Sequence, residues 1–222
     1  PVTAIQGFAE VIQQQTVGPV PHEYRALAAG IAGDAARMLA GFAEIERLAR
    51  LEAGTQELAE GVSEFVAIVR RQVSQLQTVL SPRVSRIEAS FALRSATVPL
   101  AADHAETIAW RVLATLAAAT AAGETMRVSL TGAERVLRLA IRLPAGLARA
   151  EDVFAADVHP PAHALGTGLL GAGFALRLAR AEARAVGGDL ALGGEADLVL
   201  TLPLGRAERD PTQSPQKEEA PG

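Results

Sequence analysis

The sequence predicts an α + α/β protein, a helical hairpin followed by a mixed α/β domain, and three observations carry that expectation. Between Pro21 and Gly54 the residues Tyr24, Ala28, Ile31, Ala35, Met38, Phe42, Ile45 and Ala49 recur at steps of 4, 3, 4, 3, 4, 3 and 4. That 3.5-residue period marks the seam of a helix packed lengthwise on other helices. Gly18-Pro19-Val20-Pro21 breaks the helical pattern just ahead of it, so the first segment folds back as an antiparallel partner. After Gly54 the pattern changes to helical stretches alternating with short β-like runs, the mark of a mixed α/β unit.

Element by element, residues 2–15 read as a helix with Val2, Ile5, Phe8, Ala9 and Ile12 on one face. The second helix runs from His22 to Glu52, and Gly54 is its natural stop. Two helices bury too little apolar surface to stand alone, so a second copy is expected to complete a four-helix bundle. Ser63–Val79 is amphipathic through Phe65, Ile68, Val69, Val73 and Leu76. Strands are expected at Val84–Leu93 and Ala96–Leu100, a helix at Ala102–Ala122, and strands at Met126–Leu130 and Arg135–Leu143. Pro144–Gly171 reads as a loop region, Phe174–Val186 as a helix ended by Gly187-Gly188, and Leu190–Leu192 with Leu198–Leu202 as a closing hairpin. The expected organisation is a hairpin over 1–54, an α/β domain over 60–204, and a disordered tail over 205–222, where Pro, Gln and Glu replace any apolar face.

The 222 residues suffice for a core, and 49% are hydrophobic but only 4% aromatic. That core must therefore be built from Leu, Val, Ile and Ala. Twenty of the 21 basic residues are arginine and the net charge is −4, which supplies no electrostatic footprint for nucleic acid. The absence of cysteine excludes disulfides, thiolate metal sites and cysteine nucleophiles. No continuous apolar run has membrane-spanning length, and no secretory leader is visible. The chain is expected to be cytoplasmic, or the cytoplasmic end of a membrane receptor.

Two segments carry a family resemblance. Pro1-Val2-Thr3-Ala4-Ile5-Gln6-Gly7-Phe8-Ala9-Glu10 resembles the stretch that follows the phosphorylated histidine in bacterial sensor histidine kinases. Ile45-Glu46-Arg47-Leu48-Ala49-Arg50-Leu51-Glu52-Ala53-Gly54 resembles the end of their second dimerisation helix. The order of elements after Gly54 is similar to the ATP-binding α/β sandwich of the same family. The resemblance implies a homodimer through residues 1–54, ATP and magnesium as cofactors, and a response-regulator receiver domain as partner. It also implies an acceptor histidine just upstream of Pro1, since Pro1 matches the proline of the family's His-Glu-x-Arg/Lys-Thr-Pro motif.

Within the chain, His22-Glu23-Tyr24-Arg25 imitates that motif at a helix start, with an exposed imidazole beside a carboxylate. Ala26-Leu27 stand where Thr-Pro is required, and a surface histidine at the hairpin turn is the simpler reading. The family's magnesium ligand lies on a helix after Arg-Val-Leu. Here Arg111-Val112-Leu113 is present, Thr115 and Ala119 occupy the asparagine positions, and the sequence contains no asparagine. A threonine hydroxyl is a poor replacement for an amide carbonyl on a hard cation. Of the adenine-binding Asp-x-Gly-x-Gly loop, Arg142 to Gly146 retains Gly146, with Arg142 at the aspartate position. Gly171-Ala172-Gly173-Phe174-Ala175 keeps part of the phosphate-loop pattern ahead of a helix, where glycines let backbone amides approach phosphate. Gly166-Thr167-Gly168 is a weaker alternative. The resemblance therefore implies vestigial nucleotide loops at Gly146, Gly171 and Gly173, a degenerate ATP site and no catalytic residue in the chain. His159 and His163 have ligand-like spacing without a completing cluster, so no metal site is expected. Trp110 and Phe174 are expected in the core. The competing expectation is a non-enzymatic dimeric phosphotransfer or docking module that binds response regulators. Its receiver-binding candidates are Gln6, Glu10 and Gln13, on the helix side away from Ile5 and Ile12.

Overall fold

The computed structural model describes residues 1–56, 58–83, 85–155, 170–194 and 196–209. Helix α1 (Val2–Gln13) and helix α2 (His22–Glu52) form the hairpin. Buried alanines draw the two helices together, Ala9 on α1 and Ala28, Ala32 and Ala35 on α2. Helix α2 ends as the glycine signal requires. Gly54 adopts φ 66°, its N–H reaches the Leu51 carbonyl at 3.1 Å and the Thr55 N–H reaches that of Arg50 at 3.0 Å. That pair of bonds satisfies carbonyls left open by the last turn. By length and composition alone, α2 contains a window apolar enough to cross a membrane, unlike the sequence expectation of no spanning segment.

The seam expected on α2 divides in two. Ala28 and Ala35 pack inside the hairpin, whereas Tyr24, Ile31, Met38, Phe42 and Ile45 lie exposed, as do Ile5, Phe8 and Ile12 on α1. On α1 it is Gln6 and Glu10 that are half-buried, joined by a 3.0 Å hydrogen bond, while Gln13 is exposed. The expectation that Gln6 and Glu10 point to solvent on the side away from Ile5 and Ile12 is therefore corrected.

The α/β part is a two-layer sandwich. Strand β1 (Ser63–Glu64) leads into α3 (Phe65–Leu80); then come β2 (Arg86–Phe91), β3 (Leu93–Val98), α4 (Ala102–Ala119), β4 (Thr125–Ala133), β5 (Val136–Arg142), α5 (Gly171–Ala185), β6 (Asp189–Gly193), β7 (Asp197–Pro203) and β8 (Ala207–Arg209). Five strands form one sheet in the order β2-β4-β5-β7-β6, parallel between β2 and β4 and antiparallel elsewhere. Strands β1, β3 and β8 form a small second sheet. The period of two turns Leu137, Leu139 and Ile141 of β5 and Leu198, Leu200 and Leu202 of β7 toward the helices. They meet Phe65 and Leu76 of α3, Leu113 and Leu116 of α4, and Leu176 of α5. Strand β8 corrects the expected start of disorder at Gly205. Ala207–Arg209 pairs with β3, and Thr97 exchanges backbone bonds of 2.8 Å with Arg206 and Gly205.

The Glu64 carboxylate joins the small sheet to α3, accepting from Val66 N (3.3 Å) and Ala67 N (2.6 Å) as N-cap and from Ala96 N of β3 (2.6 Å). Glu64→Ala is expected to lower unfolding stability by about 2 kcal/mol in urea melts, as loss of a cap and a charge-assisted bond requires. Asp189 anchors α5 to β6. Burial raises its carboxyl pKa, but hydrogen bonds from Arg184 and Arg180 and the Leu190 N–H outweigh that and hold it below the ordinary value of 3.8. A depressed carboxylate stabilises the fold above its unfolded-state pKa and loses that contribution as pH falls through the folded-state value. The stability gap between the wild type and Asp189→Asn should thus be full at neutral pH and close below about pH 4, as followed by thermal melts.

Candidate functional site

Helix α4, the first turn of α5 and Glu44 of α2 enclose a cleft of about 240 Å³ lined by Thr107, Trp110, Arg111, Thr115, Gly171 and Phe174. Trp110, expected in the core, is instead 41% exposed at the rim. Phe174 is half-buried against Leu48, Leu51 and Leu178, where the hairpin meets α5. Thr115 lines the cleft, and Ala119 is buried one turn further along α4. Neither position offers an amide or carboxylate.

The structure also places Arg142, Gly146, Gly171 and Gly173. Arg142 points to the outer face of the sheet, where it pairs with Asp197 at 3.5 Å. Leu143 and Pro144, which follow β5, are both buried. Arg142 is thus on the wrong face to stand in for an adenine-binding acid, and the buried residues after it are apolar. Gly146 lies beside the end of α4, where an added Cβ would sit 3.6 Å from the Ala119 carbonyl, an ordinary contact. Gly171 adopts φ 81°, a left-handed turn that favours glycine at the start of α5. Gly173 is glycine for a different reason: a Cβ there would land on the carbonyl of Ala155. The close backbone approach that glycine allows is made by the chain itself. The described residues do not fit a magnesium-bound nucleotide, because the acceptor, the metal ligand and the cradle at Gly173 are respectively apolar, missing and filled.

His22 is exposed at the first turn of α2. The 22 residues separating it from Glu44 at the cleft correspond to roughly 33 Å of helix. His159, His163 and Gly166-Thr167-Gly168 lie outside the described residues.

The sequence did not single out the charge cluster at and behind the cleft, where Glu44 and Arg111 line it and Arg47 and Glu182 do not. Arg111 Nη1 donates to Glu44 Oε1 at 2.6 Å. Glu182 of α5, fully buried, has Arg47 Nε 2.8 Å from Oε1 and Arg111 Nε 3.5 Å from Oε2. A signal existed: Glu182 continues the stripe Gly171, Ala175 and Leu178 on the buried side of α5, where a carboxylate requires a partner.

No protein-family model and no curated protein matches the sequence. Solved structures do match the fold. Full-length histidine kinase ShkA in complex with AMPPNP aligns over 93% of this chain at 17% identity with a TM-score of 0.71, and the chain spans 44% of that protein's length. Histidine kinase AdeS of Acinetobacter baumannii aligns over 91% of this chain and 93% of its own, at 15% identity and a TM-score of 0.53. A nucleotide-free catalytic domain of histidine kinase ThkA aligns over 66% of this chain and 96% of its own, at 12% identity and a TM-score of 0.50. The likeness to ShkA and AdeS takes in hairpin and sandwich together: the chain has the fold of a histidine-kinase transmitter region.

Proposed function

We propose that the chain is the transmitter part of a two-component sensor histidine kinase, acting at the cytoplasmic side as a homodimeric platform for a response-regulator receiver domain. The observation that carries this reading is the match of 93% of the chain to a histidine kinase at a TM-score of 0.71. The exposed apolar ridge of the hairpin supports the dimer, since large unpartnered apolar faces mark association sites. In this reading ATP-dependent histidine phosphorylation is impaired. The buried Leu143 and Pro144, and the Ala155 carbonyl against Gly173, favour the second form of the proposal, a docking module without its own kinase activity. Receiver binding is expected on the hairpin, with a micromolar dissociation constant, because transient signalling interfaces are small.

Receiver domains from the same organism, titrated onto isotopically labelled chain, test it. The expected result is a receiver that shifts resonances of α1 and the neighbouring part of α2, undisturbed by deletion of residues 210–222. Shifts confined to the sandwich, or none with any receiver, would overturn the platform reading.

A further inference from the structure

Among the described residues Glu182 is the one charged side chain that is fully buried, and neither dimerisation nor receiver binding uses it. Its partners come from two different elements. Arg47 approaches from α2 at 2.8 Å and Arg111 from α4 at 3.5 Å; Arg111 in turn holds Glu44 of α2 at 2.6 Å. Glu44 and Arg47 stand three residues apart, on one face of α2. Two cations and two carboxylates thus form a neutral cluster that joins the hairpin to helices α4 and α5 of the sandwich. Beside it Leu48 and Leu51 of α2 pack on Leu178 of α5.

Burying such a cluster is a poor way to gain stability, because desolvation offsets most of the attraction and well-packed apolar residues would serve as well. What the cluster does is choose among poses. A slide of α2 along α5 by one turn would leave Glu182 buried without its Arg47 partner, a strongly disfavoured state. Lifting the hairpin off would instead hydrate Glu182 and leave Arg111 beside it. Released and fully docked arrangements are both tolerable, and intermediate registers are not.

We propose that Arg47, Glu182, Arg111 and Glu44 form an interdomain latch that fixes the register of the hairpin on the sandwich and makes its release all-or-none. The inference rests on this geometry and is independent of the proposed function. The exposed Arg177–Glu52 pair nearby, at 2.7 Å, lies in water and is not part of the latch.

Amide hydrogen exchange on the full chain tests it. Glu182→Gln keeps the side-chain volume and removes the charge, and Arg47→Met does the same from the hairpin side. Both are expected to raise exchange at residues 44–52 and 174–182 at least tenfold, with strands β4, β5 and β7 unchanged; Glu52→Gln is expected to leave every segment within twofold. Exchange within twofold of wild type at both segments in Glu182→Gln and Arg47→Met would overturn the latch. Loss of protection in the strands together with the helices would overturn it too, by making Glu182 a core residue of the sandwich. A tenfold or larger rise in Glu52→Gln would do the same by moving the hold to the exposed pair.

Discussion

Phe42→Glu is expected to convert the protein from dimer to monomer. Phe42 is 54% exposed in the single chain and stands on α2 between Met38 and Ile45, both more than 40% exposed. Ile5, Phe8 and Ile12 of α1 are likewise exposed, at 50%, 72% and 43%. A second copy packed on the hairpin would remove them from water, each fully buried side chain contributing about 1.5–3 kcal/mol. In a two-fold dimer one substitution acts twice. An unpaired carboxylate in a dry seam costs about 3 kcal/mol or more, so the pair should weaken association by roughly four orders of magnitude. Sedimentation velocity at micromolar concentration reads the change directly. A wild-type monomer, or a Phe42→Glu dimer, would contradict the assembly.

Gly173→Ala should be the most damaging single-methyl change in the α/β part. The new Cβ would fall on the backbone carbonyl of Ala155, and backbone cannot rotate away as a side-chain end does. Overpacking of this kind costs about 3 kcal/mol, and urea unfolding should show it. Gly146→Ala, whose Cβ would meet only the Ala119 carbonyl at 3.6 Å, should stay within about 0.5 kcal/mol of wild type. The contrast separates two roles for a glycine. A glycine kept for phosphate contact can gain a methyl with little loss of stability. One kept for the chain's own packing cannot. An unaltered stability in Gly173→Ala would free the space for a ligand and contradict the filled cradle.

The hairpin was legible because its signals are local. Gly54 and Thr55 close α2 with bonds to carbonyls three and five positions back respectively, and the 3.5-residue period appears in any stretch of the helix. The same period could not say which neighbour each seam residue meets. A bundle helix has more than one partner, so Ala28 and Ala35 went to α1 while Phe42 and Ile45 stayed exposed. The face of Arg142 was also within reach of the sequence: counting by two from Leu137 puts it outside and Leu143 inside. Strand β8 was not legible, since its cause is pairing across more than one hundred residues to β3. Nor was the exposure of Trp110, whose neighbours Ile108, Ala109, Val112 and Leu113 on α4 are all buried. Glu182 lay between these cases. Its place on the buried stripe of α5 announced a partner, but only the packed structure brings Arg47 and Arg111 to it.

The proposed function holds that the hairpin serves assembly while the cleft does not hold magnesium-ATP. Calorimetric titration of magnesium-ATP into the full chain tests this most directly. Loss of the metal ligand and of the buried base acceptor should each cost a few kcal/mol, or about two orders of magnitude in affinity. The expected result is no saturable heat up to about 1 mM nucleotide. A saturable isotherm with a dissociation constant in the low micromolar range would contradict it.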